Sequence, residues 1–119
     1  MDEQIRTALA QDKTIDITTI GRKSGQPRRI EIWYHYLGEG QIYISGLPGT
    51  RDWYANLMAN PAFTFHLKES VQADLPAKAT LITDEGERRV IMAQIVNSPA
   101  DLDRWVAASP LVKVDFVED

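Results

Sequence analysis

Short runs of alternating apolar and polar residues are the feature that most constrains the fold of this chain. In the clearest run, "RRIEIWYHYL", one face carries Ile30, Ile32, Tyr34 and Tyr36, and the other carries Glu31, Trp33 and His35. Side chains of a β-strand alternate between two faces, so this pattern predicts a strand. Strands are also predicted for the segments "TIDITTIG", "QIYIS", "AFTFHLK", "VQADLPAKATLIT" and "LVKVDFV".

Helical spacing predicts short helices between these strands. They cover the first ten residues, the segment "RDWYANLMAN" before Pro61, the segment after Asp84 and Glu87, and the segment opened by Ser98 and Pro99. Six strands with inserted helices predict a mainly β fold with α insertions, built as a small antiparallel barrel. Because proline cannot donate to a strand ladder, Pro76 is expected near an edge or a bend.

Composition narrows the class of protein. A chain of 119 residues predicts one domain over 1–119, and its net charge of −4 argues against nucleic acid or anionic membrane as partners. It has no cysteine, no apolar run of membrane-spanning length and a polar N-terminus, so we expect a cytoplasmic protein. His35 and His66 have no neighbouring cysteine or paired acid, so no metal site is expected.

The segment "GRKSGQPRR" concentrates positive charge in a glycine-containing turn. It holds Arg22, Lys23, Arg28 and Arg29 and no acid. Two interpretations stay open: a solvated hairpin turn, or an anion site in which backbone N–H groups and cations converge.

A second segment, "SGLPGTRDWYANL", runs through glycines into a helix N-terminus. Such an end presents unsatisfied N–H groups and partial positive charge, so a cation there needs an explanation. Arg51 could pair with Asp52 or Glu31, or share an anionic ligand with the helix end.

These two motifs together resemble the deazaflavin-dependent nitroreductase family. The resemblance rests on "TTIGRKSGQPRR" followed some 25 residues later by "RDWYANLMANP". It implies a six-stranded antiparallel split β-barrel, similar to the FMN-binding split barrels, that uses the deazaflavin coenzyme F-420. The turn would hold the phosphate and oligoglutamate tail of the coenzyme, and the helix would lie beside it. The residues implied in coenzyme binding are Arg22, Lys23, Ser24, Gly25, Arg28, Trp53, Tyr54 and Asn56, with Arg51 as a further basic residue.

The resemblance implies an oxidoreductase that transfers a hydride between reduced F-420 and a small planar acceptor, either quinone-like or a nitro compound. Members of that family carry a tyrosine-rich segment around the nitro substrate, whereas "DLDRWVAASPLVKV" contains no tyrosine. Tyr54 and Ser45 are the candidate polar groups near the coenzyme ring. The alternative is a non-catalytic split barrel that binds FMN or another planar ligand. Trp33 is expected to pack under a helix or at a homodimer seam rather than against a ligand.

Overall fold

The computed structural model describes residues 1–117, so the last two residues of the predicted 1–119 domain lie outside the described range. Six strands and four helices are present in this range. The strands are β1 (Thr14–Ile20), β2 (Pro27–Tyr36), β3 (Ile42–Ser45), β4 (Ala62–Leu67), β5 (Ala73–Leu81) and β6 (Leu111–Phe116). The helices are α1 (Glu3–Gln11), α2 (Asp52–Ala59), α3 (Glu85–Ile95) and α4 (Pro99–Ala108). Across residues 1–117, none of the helices is long and apolar enough to cross a membrane.

The strands close into one antiparallel barrel in the order β1-β2-β3-β6-β5-β4. β1 pairs with β2 on one side, where Ile17 opposes Ile30, and with β4 on the other, where Ile17 opposes Phe65. The predicted mainly β fold with α insertions, a six-stranded antiparallel split barrel, is confirmed.

The barrel interior is filled by the apolar face of each strand. Phe65 is fully buried and makes edge-to-face contacts with Tyr34 at 5.3 Å and Phe116 at 5.2 Å between ring centroids. Truncating a buried phenylalanine of this kind to alanine costs about 3–5 kcal/mol of folding free energy. The same alternation that predicts the strands therefore also supplies the core.

Side-chain hydrogen bonds satisfy main-chain groups at the helix ends. The Asp84 carboxylate accepts a hydrogen bond from the Glu87 N–H at 2.9 Å, which starts α3 as the spacing predicts. Near the C-terminus of α1, the Tyr34 hydroxyl donates to the Leu9 carbonyl at 2.8 Å. That bond satisfies one of the carbonyls that a helix C-terminus leaves without an internal partner.

Two positions differ in detail from the sequence interpretation. Pro76 lies inside β5 between two strands, where its carbonyl accepts from the Val117 N–H at 2.9 Å, just beyond the end of β6. Proline has no N–H to donate to the sheet, and Pro76 lies opposite the end of β6, where the pairing of the two strands stops. Trp33 is 66% exposed on the outer face of β2, so no helix of the described chain covers it.

Candidate functional site

A cleft of about 680 Å³ opens between the β1–β2 turn and α2. That volume lies within the usual range for small-molecule sites. The turn supplies cationic and small residues, β2 supplies Ile30, and α2 supplies Trp53 and Asn56. The residues that line it are Thr19, Gly21, Arg22, Lys23, Ser24, Arg28, Ile30, Asp52, Trp53 and Asn56.

The turn over residues 21–26 is closed by its own hydrogen bonds. Gly21 donates to the Gln26 carbonyl, Gly25 donates to the Gly21 carbonyl (both at 2.8 Å), and Gln26 donates to Ser24 Oγ at 3.1 Å. A Cβ on Gly21 would lie 2.5 Å from Ser24 Oγ, and Gly25 has a φ of +69°. The left-handed backbone therefore favours glycine at position 25, whereas a side chain at position 21 would displace the Ser24 hydroxyl.

Asn56 joins this turn to α2. Its Oδ1 accepts from the Arg22 N–H at 3.1 Å and from Arg22 Nη1 at 2.9 Å. Its Nδ2 donates to Thr19 Oγ1 at 3.2 Å. Asn56 and Thr19 are 4% and 1% exposed, so the link is shielded from water. A buried network whose members are hydrogen-bonded holds its parts in fixed positions.

The charge of the cleft is positive. Arg22 binds Asp52 at 3.3 Å, but Lys23 and Arg28 have no carboxylate within ion-pair distance in residues 1–117. The neighbouring Arg29 points to the other face of β2 and pairs with Asp16 at 2.9 Å. The side chains of Lys23 and Arg28 are therefore available to an anion in the cleft.

Arg51 lies on the other side of α2 from the cationic turn. Its guanidinium donates to the Thr50 carbonyl at 2.8 Å and the Leu47 carbonyl at 3.1 Å. Neither pairing considered from sequence is formed, because Asp52 binds Arg22 and Glu31 binds Lys68. These two hydrogen bonds hold the loop before α2 in place. Arg51 also borders a second cleft of about 610 Å³.

The two candidate polar groups for the coenzyme ring have different surroundings. Tyr54 borders the second cleft beside Arg51, and its ring contacts Trp53 edge-to-face at 5.8 Å. Ser45 is buried, and its hydroxyl donates to the Pro110 carbonyl at 2.6 Å. Of the residues implied by the resemblance, the structure brings Arg22, Lys23, Ser24, Arg28, Trp53 and Asn56 to the first cleft, with Gly25 shaping the turn.

Sequence reasoning missed Thr19, Ile30 and Asp52 in the first cleft, and Arg88 in the second. The sequence could have indicated that Arg88 is buried, because it lies three positions before Ile91 on the apolar stripe of α3. It is 8% exposed and donates to the Ile82 and Val106 carbonyls at 2.7 Å each.

A polar chain runs across the outer barrel face, away from both clefts. Thr18 Oγ1 lies 2.7 Å from His66 Nε2, and His66 Nδ1 lies 2.7 Å from Asp74 Oδ1. The hydrogen bond with His66 holds the pKa of Asp74 below its usual value. Within residues 1–117, no group of three or more acidic or histidine side chains could hold a metal ion.

Solved structures of other proteins share this fold. A protein described as an F420 reductase matches with a TM-score of 0.73 and 17% identity, covering 99% of this chain and 97% of that one. An F420-H2 dependent reductase, FDR-A, matches with a TM-score of 0.61 and 19% identity, covering 87% and 95%. The haem-storage protein HutZ from Vibrio cholerae matches with a TM-score of 0.71 and 14% identity, covering 99% and 91%.

The closed six-stranded barrel, with a cationic cleft beside α2, is a split β-barrel. The family model described as F420H(2)-dependent quinone reductase matches residues 2–115. The chain belongs to that family and is an F-420-dependent oxidoreductase, as the resemblance implied.

Proposed function

We propose that the first cleft binds the anionic tail of coenzyme F-420 and that the protein passes a hydride from the reduced coenzyme to a small planar acceptor. The observation that carries the proposal is a pair of cations at the glycine-shaped turn, Lys23 on the turn and Arg28 at the start of β2, neither of which pairs with a carboxylate of residues 1–117. A phosphate or carboxylate there gains charge-assisted hydrogen bonds, which are stronger than bonds between neutral groups.

The residues of the cleft fit such a coenzyme. Lys23, Arg28, Ser24 and the turn at Gly25 would hold the anionic groups, and Arg22 would be kept in place by Asn56. Trp53 and Ile30 supply an apolar wall for the linker between the anionic tail and the ring. When bound, the reduced coenzyme supplies a hydride and a proton, so the protein need only bind, orient and exclude water. Tyr54 and Ser45 stay candidates for a polar group near the ring, although Ser45 would first have to leave Pro110.

The acceptor is proposed to be a small planar molecule, quinone-like or a nitro compound. The family description supports a quinone, and the segment at the end of α4 supplies Ala107, Ala108 and Ser109 rather than tyrosines. Small side chains leave space for a flat ring. This segment contains none of the tyrosines that surround the nitro substrate in the deazaflavin-dependent nitroreductase family.

Cofactor binding is tested directly by incubating the purified protein with F-420 or with FMN, followed by gel filtration and absorbance. We expect F-420 to coelute with the protein. Coelution of FMN instead would support the alternative, a split barrel that binds FMN or another planar ligand without this chemistry.

The cleft itself is tested with the double variant Lys23→Ala/Arg28→Ala. We expect at least a tenfold weaker F-420 dissociation constant, or about 1.4 kcal/mol. Arg29→Ala is the matched control, because Arg29 is adjacent in sequence but pairs with Asp16 outside the cleft. Equal dissociation constants for the wild type and the double variant would contradict the proposal.

We also propose a homodimer that covers the outer face of β2. Its support is Trp33, a large aromatic side chain exposed on a strand of the barrel. Light scattering on the wild type and on Trp33→Ser tests it: a dimer that the variant dissociates supports the proposal, and a monomeric wild type rejects it.

A further inference from the structure

The second cleft lies on the opposite side of α2 from the cationic turn. Arg51, Tyr54 and Met58 of the α2 region form one wall, and the end of α4 forms another. Its volume, about 610 Å³, is sufficient for a bicyclic molecule. The lining residues are Gly49, Thr50, Arg51, Tyr54, Ala55, Met58, Ile82, Thr83, Arg88, Ala107, Ala108, Ser109 and Pro110.

Among the residues that the structure describes, the lining of this cleft carries two cations and no acid. Arg88 is buried and is held by the main-chain carbonyls of Ile82, Val106 and Ser109. Neither Arg51 nor Arg88 forms an ion pair with a carboxylate of the described chain. The positive charge of the cleft is therefore compensated only by carbonyl dipoles, which favours a ligand oxygen that is or becomes negative.

One buried hydroxyl at this cleft has no partner. Ser109 is 4% exposed, and its Oγ makes no hydrogen bond to any described group. Its main chain is fixed on both sides, because its N–H donates to the Trp105 carbonyl at 3.0 Å and its carbonyl accepts from Arg88. Leaving a buried polar group unpaired is unfavourable, so native proteins rarely keep one without a use.

We propose that the second cleft is the acceptor site and that the Ser109 hydroxyl donates a hydrogen bond to a carbonyl oxygen of a quinone bound there. The inference rests on the proposed function for the redox step, with the coenzyme tail in the first cleft and its ring beside Tyr54 at the edge of the second, because a hydride passes only between atoms in contact. The geometry of the cleft carries the binding. The quinone takes up one hydride and one proton, two electrons in all, and leaves as the hydroquinone. Its oxygen gains negative charge as the hydride arrives, and Arg51 and Arg88, which both line the cleft, add positive charge that stabilises it.

The hydroxyl suits this role because it needs no rearrangement of the backbone. Serine side chains occupy three staggered rotamers, so the hydroxyl can turn toward a ligand while the main chain stays fixed by its two hydrogen bonds. A site with an otherwise unpaired donor discriminates strongly in favour of ligands that accept its bond. The cleft should therefore prefer 1,4-naphthoquinone over naphthalene, which has the same two rings and no oxygen.

The experiment measures binding of 1,4-naphthoquinone and of naphthalene to the protein without coenzyme, by tryptophan fluorescence quenching. The chain has no cysteine thiol for the quinone to alkylate. We compare the wild type with Ser109→Ala and with the control Ser98→Ala, an exposed serine at the far end of α4 whose side chain makes no capping bond. Melting temperatures and F-420 affinities are measured for the same three proteins.

We expect Ser109→Ala to bind naphthoquinone at least tenfold more weakly and naphthalene unchanged, with an unaltered F-420 affinity. Its melting temperature should be equal to or above that of the wild type, because the variant removes a buried group that has no partner. Ser98→Ala should behave as the wild type. Equal naphthoquinone affinity in wild type and Ser109→Ala would overturn the inference, as would a lower melting temperature for Ser109→Ala, since that would reveal a structural partner for the hydroxyl. If none of the three proteins binds F-420, the proposed function is rejected. The naphthoquinone affinities would still decide whether the second cleft binds a quinone through Ser109.

Discussion

The side-chain oxygen of Asn56 accepts two hydrogen bonds from Arg22, one from its main-chain N–H at 3.1 Å and one from Nη1 at 2.9 Å. A single buried amide on α2 thus fixes both the backbone and the charged end of a residue in the cationic turn. Its orientation is set in turn by Thr19, which accepts from Nδ2 at 3.2 Å. The turn and the helix therefore keep one relative position.

The first prediction concerns Thr19→Val, a change that keeps the shape and removes the acceptor. The buried Nδ2 of Asn56 then lacks a partner, which costs about 1–3 kcal/mol of folding free energy. We also expect weaker F-420 binding, because the amide no longer has one preferred orientation toward Arg22. Urea denaturation and fluorescence titration measure the two effects. Thr80→Val, on the exposed face of β5, is the control and should change stability by less than about 0.5 kcal/mol.

The sequence was sufficient to predict the barrel because alternation and turn residues are local signals. It also identified the two segments that border the first cleft. One is a glycine-containing turn with four cations and the other is a glycine-containing loop before a helix, and each is visible along the chain. The interaction that joins them was not visible, because Asn56 and Arg22 are 34 positions apart. The same limit applies to Arg51, for which a pairing with Asp52 or Glu31 and a shared anionic ligand were both open. Its guanidinium donates to the Thr50 and Leu47 carbonyls because the loop folds back, and such a fold is not visible along the chain.

The second prediction concerns Arg88, which binds the carbonyl groups at the end of α4. Arg88→Met keeps the apolar stem but leaves buried carbonyls without donors, so we expect a loss of about 3 kcal/mol or more. Arg89→Met is the matched control, because Arg89 pairs with Asp103 at the surface and such pairs contribute about 0–1 kcal/mol. Denaturant midpoints for the two variants test the difference, and similar losses at both positions would argue against a special role for Arg88.

The third prediction is a pH dependence that involves Glu69. Hydrogen bonds from the backbone N–H groups of Thr14 and Lys13 hold the pKa of Glu69 below its ordinary value of 4.5. A carboxyl group with a lower pKa in the folded state contributes stability above pH 4.5 that is lost as the pH falls through the folded pKa. Glu69→Gln should therefore reduce the slope of stability against pH between about pH 5 and pH 3. Denaturation at a series of pH values checks this, and an unchanged slope would contradict it.

The last prediction separates charge from stacking in the first cleft. At about 0.01 M salt the screening length is about 30 Å, and at about 0.1 M it is about 10 Å, so exposed charge pairs weaken over this range. Lys23 and Arg28 are exposed, and we expect wild-type affinity for F-420 to fall as salt rises. The double variant Lys23→Ala/Arg28→Ala should bind weakly and with a smaller salt dependence, whereas Arg29→Ala should keep the wild-type slope, since its charge is already paired with Asp16.

Fluorescence titrations at four salt concentrations give the slopes of affinity against salt. A wild-type affinity that does not depend on salt would mean that contact with Trp53 and Ile30, rather than charge, anchors the coenzyme, and the role assigned to the cationic turn would then be wrong.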